Sequence, residues 1–529
     1  HDVIIIGAGV CGIYQLYRLA GLNLNVTVLE AGDGPGGTWY WNRYPGCRFD
    51  SESWTYGYSF SEELLQEWEW PEHFAAQPDT LRYLNFVADK FDLKRDVTFN
   101  ARVKHVHYDE AAKLWHVETE NGEKADARFV LAATGLLSAF QMPDYKGIED
   151  FKGRSVHSAR WPKEGVNFKG RRVGIIGAGP TAVQIIQTIA PDCAQLTVFQ
   201  RTANWCTPLR NYAIDEAGQA ERKKHAREVI DHCNKTFAAF VHDMLPQAST
   251  EVSKEERWAK YQELYDRGGF ALWFANYKDI FTNLDFANEV SEFLAEKIRQ
   301  RVKDPVKAEK LIPKSHPYGT KRPPGETNYY EAFNLPHVDV VDLRATPIER
   351  ITAKGIKTTG QEYEFDDIIY ATGFQSLTGE ILRIDIRGEG GLSIQEKWAN
   401  GPKTHMGVQV AGFPNFFAIM GPQNPATFCN ITRCIESNVD WIVNCIGYLR
   451  DHGYSTIKSK PDAEAEWTKR CQESVKGMLI NDMRDSWFFG NNNRDGGSGQ
   501  YLMYVGSVPA YREMFADVAA KGYPGFELR

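Results

Sequence analysis

Two glycine-rich segments in this chain have the residue types and spacing of phosphate cradles: Gly7-Ala8-Gly9-Val10-Cys11-Gly12 and Gly177-Ala178-Gly179-Pro180-Thr181-Ala182. A G-x-G-x-x-G string gains chemical meaning only between a buried strand and a helix, where a tight turn brings backbone N–H groups and the helix N-terminus to a pyrophosphate. Both contexts are present. Val3-Ile4-Ile5-Ile6 and Val173-Gly174-Ile175-Ile176 are short apolar runs that read as buried parallel strands, and each loop leads into a helical pattern. Ala182 stands at the third glycine position of the second loop, which asks only for slightly looser helix packing. Two dinucleotide sites in one polypeptide imply electron transfer between them.

What ends the following strand separates the two ligands. After the first loop, Val26-Thr27-Val28-Leu29-Glu30 supplies a carboxylate, which accepts hydrogen bonds from ribose hydroxyls and repels a phosphate on that ribose. This site is expected to hold FAD or NAD. After the second loop, Leu196-Thr197-Val198-Phe199-Gln200-Arg201 lacks the acid and offers a guanidinium instead, with Thr202 beside it. A guanidinium matches a 2′-phosphate in charge and fork geometry, so the second site is expected to take NADPH rather than NADH.

The elements that position these residues follow from strand order. The 529 residues exceed what one core supports. The fold class is α/β: two Rossmann-like, doubly wound, three-layer dinucleotide-binding domains plus a helical insertion. Residues 1–140 and 372–529 are expected to form an FAD-binding domain, and 150–202 with 320–368 an NADP-binding domain. Residues 205–318 read as a charged helical insertion in the latter, with Ala217 to Phe240 and Asp285 to Lys310 the clearest helices. Its aromatic run Phe270 to Tyr277 reads as packing core.

The formal charge of -8 and the lack of a basic cluster argue against a nucleic-acid partner. No apolar stretch approaches the roughly 20 residues of a membrane helix, and none resembles a signal peptide. A cytoplasmic protein without a membrane span is expected, trimmed at its N-terminus because His1 adjoins a strand. Nine cysteines, without C-x-x-C spacing, are expected to be reduced and mostly buried. Cys429 and Cys434 have the spacing of a redox dithiol, but Gly36-Gly37-Thr38 runs into Trp39 rather than a cysteine. If the segment is helical, five residues of rise at about 1.5 Å each also keep the Cα atoms too far apart to bridge. His105 and His107 share one face of an expected strand, and no carboxylate or cysteine completes a ligand set at the usual spacings. No metal site is expected.

Between the two loops lies Phe151-x-Gly153-x-x-x-His157-x-x-x-Trp161-Pro162. This resembles the signature of type I Baeyer-Villiger monooxygenases, a branch of the class B flavoprotein monooxygenases. Related branches that oxidise nitrogen or sulfur resemble it up to the histidine but lack the closing Trp-Pro. The resemblance runs along nearly the whole chain, through Gly36-Gly37-Thr38-Trp39, Asn42-Arg43-Tyr44-Pro45-Gly46, Asp50, Ala133-Thr134-Gly135, Lys321-Arg322, Ala371-Thr372-Gly373 and Gly412-Phe413-Pro414-Asn415. Cyclohexanone- and phenylacetone-type enzymes are the members it most resembles.

The resemblance implies that NADPH reduces FAD, that the reduced flavin traps O2 as a C4a-peroxide, and that this attacks a small ketone. A tetrahedral, Criegee-type intermediate then collapses to an ester or lactone. Such anions need a fixed positive charge in a dry site, where a preorganised donor contributes on the order of several kcal/mol. Arginine suits because it does not give up its proton. Arg322 occupies the place of the family's catalytic arginine, Asp50 that of the acid orienting it, and Lys321 that of a second contact to the 2′-phosphate. Gly37, Thr38 and Trp39 fall among the cofactor-binding residues, as does Trp487, which matches a tryptophan at the nicotinamide ribose. Pro425, Ala426, Thr427 and Phe428 are implied to adjoin the substrate pocket. His157 and Trp161 are read as a linker coupling NADP binding to domain position. The family's Asn-Ile-Pro-Gly-Lys-like stretch is replaced by Asn491 to Gly499, rich in Gly and Asn and without proline, so a more flexible loop is expected. A monomer or weak oligomer is expected. Two other readings remain open: a flavin monooxygenase acting on nitrogen or sulfur, and an NADPH oxidase or flavin reductase.

Replacing Arg201 by alanine is expected to raise KM for NADPH about ten- to hundred-fold, the worth of one charge-assisted contact, with little effect on NADH. Steady-state kinetics with both cofactors check this. An unchanged ratio removes Arg201 from the phosphate site.

Overall fold

A computed structural model describes residues 1–484, 486–490 and 499–529. The flexibility expected of the 491–499 loop therefore concerns residues that, Gly499 apart, lie outside the described ones.

Val3–Ile6 is apolar throughout and buried on both faces, as the interior strand of a parallel sheet must be. It lies at the centre of five strands in the order Phe416–Ala418, Phe129–Ala132, Val3–Ile6, Val26–Leu29, Val97–Thr98. Every pairing is parallel. A second five-stranded sheet runs Val338–Asp342, Gln195–Gln200, Arg172–Ile176, Asp367–Tyr370, Arg154–His157, again parallel throughout. Each glycine loop thus follows a sheet-interior strand and opens a helix, Val10–Ala20 in the first unit and Pro180–Ile189 in the second. The first of these helices packs along the 21-residue helix Ile431–Asp451, far along the chain. The Tyr14 hydroxyl donates to Asp440 at 2.7 Å across that contact.

The chain leaves the first sheet after Phe129–Ala132 and returns to it after Asp367–Tyr370. Backbone and side chains bind the two crossings together. The Gln141 N–H donates to the Gly373 carbonyl at 3.1 Å, and the Thr372 hydroxyl donates to the Gln141 carbonyl at 2.8 Å.

The segment between the halves of the second unit is helical, with Glu216–Cys233, Lys254–Arg267, Leu284–Arg301 and Pro305–Leu311. The helical stretch expected over Asp285 to Lys310 is divided between two helices. Asp304 accepts from the Val306 and Lys307 N–H groups and Pro305 takes the first helical position, so a new helix starts where the charge pattern alone reads as continuous. The helix expected over Ala217 to Phe240 ends at Cys233. Beyond it the Thr236 hydroxyl turns back to the Phe240 carbonyl at 2.7 Å. Lys254–Arg267 is a further helix of this segment, begun by a reciprocal capping box of Ser253 and Glu256. Phe270 to Tyr277 is buried without exception, as packing core requires.

All nine cysteines are free and buried. Cys429 has extended backbone ahead of the helix Ile431–Asp451, so the helical premise for the pair does not hold. Burial, joined by a hydrogen bond with Cys434, pushes its thiol far above the ordinary value and makes it a poor nucleophile. The two strand histidines gain a carboxylate neighbour through the fold. Asp385–Arg387 pairs in parallel with Val103–Asp109 and sets Asp385 opposite His105. Asp385 Oδ2 lies 2.7 Å from His107 Nε2 and 3.3 Å from His105 Nδ1, so a carboxylate does join the two imidazoles. The Arg387 guanidinium holds the other oxygen at 2.9 Å. The partner was hidden because it lies far away in sequence and arrives through strand pairing. Among the described residues, no helix is long and apolar enough to cross a membrane.

Candidate active site

The first glycine loop folds onto a second glycine pair. A Cβ on Gly9 would lie 3.2 Å from the Gly37 Cα, and one on Gly37 only 2.7 Å from the Gly9 Cα, so the two backbones meet without side chains between them. A Cβ on Gly12 would lie 1.9 Å from the Gly7 carbonyl, because helix and strand pack in contact there. Glu30, buried at the end of Val26–Leu29, accepts from the Ala8 N–H at 2.6 Å and the Gly32 N–H at 2.7 Å. Burial raises its pKa and those two N–H bonds oppose the rise. A cleft of about 460 Å³ is lined by Trp41, Arg102, Arg160 and Arg383. Thr38 starts the short helix Thr38–Trp41, and the buried Trp39 indole donates to the Tyr56 hydroxyl at 3.0 Å. This arrangement fits a dinucleotide with an unphosphorylated ribose.

The second loop differs in two ways. The position of Gly179 opens into space, with nothing within 4 Å of an added Cβ, just ahead of the helix Pro180–Ile189, while Ala182 is fully buried. The cradle is therefore wide enough for a pyrophosphate at the helix N-terminus. Arg201 is exposed and Thr202 half-buried at the end of Gln195–Gln200. The neighbouring strand Val338–Asp342 ends alongside and delivers a cation that sequence reading missed, since Arg344 donates to the Thr202 hydroxyl at 3.1 Å. No local spacing could reveal a residue 142 positions away.

The two units meet at the loop after Trp41. The Tyr44 hydroxyl donates to the Gln184 side chain at 3.0 Å, and that amide donates to the Arg48 carbonyl at 3.0 Å. A Cβ on Gly46 would lie 2.6 Å from the Gln184 carbonyl, so this loop sits directly on the helix that follows the second glycine loop. Two residues past Arg48, Asp50 takes the Arg322 guanidinium in a bidentate pair, 2.6 Å and 2.9 Å. The Asp50 side chain is 8% exposed and that of Arg322 29%. The Phe270 ring lies 4.9 Å from the guanidinium carbon, so the inserted segment supplies the other wall. Lys321 immediately precedes Arg322.

His157 ends the strand Arg154–His157 at the crossings. Its Nδ1 accepts from the Ala159 N–H at 3.1 Å, which leaves Nε2 to donate to the Gln141 carbonyl at 3.2 Å. Burial pushes its pKa down to about 4, so the ring is neutral and tied to the linker. Phe151 and Trp161 are buried in the two separate cores that flank the second sheet and Pro162 is half-buried, with Trp161 against Phe168 at 5.9 Å and Gly153 under the Phe151 ring. Trp487 is half-buried beside Phe488. Phe488 packs on Phe428, which also meets Trp273 and Phe281. Pro425, Ala426 and Phe428 thus form a buried turn against the inserted segment, whereas the Thr427 side chain lies outside the described residues.

Two glycine cradles of unequal ribose chemistry, with an arginine held at their junction, define a flavoprotein that draws electrons from a nicotinamide dinucleotide. A pyridine nucleotide-disulphide oxidoreductase profile matches residues 4–263. The 2-oxo-Δ3-4,5,5-trimethylcyclopentenylacetyl-CoA monooxygenase of Pseudomonas putida is 44% identical over 100% of this chain and 98% of its own. The cyclopentanone 1,2-monooxygenase of Comamonas sp. (strain NCIMB 9872) is 41% identical, over 100% and 96%. The crystal structure of OTEMO in complex with FAD and NADP superposes with a TM-score of 0.96 at 44% identity, covering 100% of this chain and 99% of that one. The chain belongs to the Baeyer-Villiger monooxygenases, flavoenzymes that pair FAD with NADPH.

Replacing Gly12 by alanine is expected to cut the FAD retained on purification to roughly a tenth, since the added methyl collides with a backbone carbonyl. The ratio of flavin to protein absorbance reads this directly. Full retention would show that the first cradle tolerates a wider helix packing.

Proposed function

We propose that this protein inserts one oxygen atom from O2 beside the carbonyl of a small ketone, giving an ester or lactone, at the expense of NADPH. FAD is assigned to residues 1–140 and 372–529, with Glu30 on its ribose and the crossed backbones of Gly7, Gly9, Gly12 and Gly37, with Thr38 and Trp39, around its phosphates and ring. NADP is assigned to 150–202 and 320–368, its pyrophosphate at Gly177, Gly179, Thr181 and Ala182. Arg201, Thr202, Lys321 and the additional Arg344 take its 2′-phosphate, and Trp487 its nicotinamide ribose. When bound and reduced, the flavin supplies the activation of O2.

The chain's own contribution is charge placement. Arg322 offers a permanently protonated donor to the negative charge that develops on oxygen, and Asp50 holds the guanidinium fork in one orientation. The observation that carries this role is the bidentate Asp50 to Arg322 pair at the junction of the two cradles. Its remaining donors and partly exposed edge stay available to a reactant. The turn of Pro425, Ala426 and Phe428, with Thr427, is assigned to the substrate side, and neutral His157 to coupling the crossings rather than to proton transfer. The relatives named for cyclopentanone and for a cyclopentenyl acyl-CoA favour a cyclic ketone.

Incubation of the FAD-loaded protein with NADPH, isotopically labelled O2 and a panel of cyclic, aromatic and open-chain ketones is expected to give ester or lactone carrying one labelled oxygen. Oxidation of amines or thioethers without conversion of any ketone, or formation of hydrogen peroxide alone, would overturn the reading.

A further inference from the structure

Two residues past Asp50 stands a second buried acid with no part in the chemistry above. The Glu52 side chain is 6% exposed, and its Oε1 lies 3.2 Å from Nε2 of His242, which is 5% exposed. The other carboxylate oxygen has no hydrogen-bond partner among the described residues. An ionised carboxylate so placed is costly unless a counter-charge accompanies it. Burial alone would raise the Glu52 pKa, but the adjoining His242 imidazole outweighs that and holds it below the ordinary value.

Of the neighbouring groups, His242 is the one whose ring nitrogen lies against the Glu52 carboxylate. His73 also faces Glu52, but burial pushes it down to about 4 and it is neutral near pH 7. Arg222, beside His73, stacks on Trp54 at 4.2 Å. Arg433 is engaged with Glu436 at 3.0 Å, and the Cys233 thiol between these groups is raised to about 12 by burial.

The pair sits on a closed circuit of contacts. His242 follows Phe240 closely in the inserted segment, and the Phe240 ring packs on Phe270 at 5.2 Å. Phe270 lies against the Arg322 guanidinium, which returns to Asp50. A Cβ on Gly269, next to Phe270, would lie 3.7 Å from Glu52 Oε1, so the acid also abuts the inserted backbone.

We propose that Glu52 and His242 form a positioning pair, which registers the inserted segment against the Asp50 loop and so keeps Phe270 in place against the Arg322 guanidinium. The inference rests on the role assigned to Arg322. Without His242, the Glu52 carboxylate is stranded in a dry region against the Gly269 backbone, and the segment that holds Phe270 on Arg322 shifts, moving the donor fork off the reacting oxygen. Neither residue touches cofactor or substrate in this account.

The test compares His242→Gln with the double variant Glu52→Gln, His242→Gln in FAD-loaded protein. Each is measured for anaerobic flavin reduction by NADPH and for the share of NADPH diverted to hydrogen peroxide when a ketone is present. His242→Gln is expected to raise that share at least about threefold while leaving reduction within about twofold of the parent. The double variant, which removes the stranded charge, is expected to return to within about twofold. A loss of packing alone predicts the reverse, with the double variant at least as uncoupled as the single one. That result, or unchanged coupling in His242→Gln, overturns the proposal. Should His242→Gln fail to fold, the double variant is expected to fold, since the stranded charge is the defect; failure of both overturns it as well. Arg322→Ala run alongside separates the levels. Uncoupling there with a normal His242→Gln rejects only the positioning pair, whereas normal coupling in Arg322→Ala rejects the role of Arg322 itself.

Discussion

The structure depends on one ion pair between residues 272 positions apart, Asp50 with Arg322. A carboxylate this deeply buried is unfavourable alone, and a guanidinium in bidentate contact loses the freedom to point elsewhere. Each therefore fixes the other. The pair can form only if the loop carrying Asp50 is docked on the second unit, which is what Tyr44, Gly46 and Arg48 achieve against the helix after the second glycine loop. Position of a single positive charge is thus tied to how the two dinucleotide cradles sit against each other.

The rest of the architecture protects that relation. The two crossings, where the chain passes between sheets, are laced together through Gln141, Thr372 and His157 rather than left as open linkers. The inserted helices supply the aromatic wall behind Arg322, and the same wall continues through Trp273 and Phe281 to Phe428. Water is kept from one side of the guanidinium while its other side faces the junction. In such a setting electrostatic stabilisation is stronger than in solvent and needs no reorganisation at the moment of reaction.

How much of this was legible in the sequence follows from the range of each interaction. The cradles, Glu30 and Arg201 could be read because a strand, a loop and a helix in immediate succession fix their geometry within about 30 residues. Asp50 and Arg322 could be named only through resemblance to a family, since nothing local joins them. Arg344 beside Thr202, Asp385 beside His107, and His242 beside Glu52 were invisible for the same reason: strand pairing and helix docking bring them together. The split at Asp304-Pro305 is different, because its capping signal was present and the surrounding charge periodicity masked it.

Rapid kinetics on Arg322→Ala test most directly whether Arg322 acts on oxygen chemistry and not on hydride transfer. Anaerobic mixing with NADPH measures flavin reduction, and aerobic mixing with a ketone measures product formed per NADPH consumed. The account predicts reduction at close to the parent rate with ester or lactone lost and hydrogen peroxide in its place. Equal loss of both half-reactions, or product formed as in the parent, would contradict it.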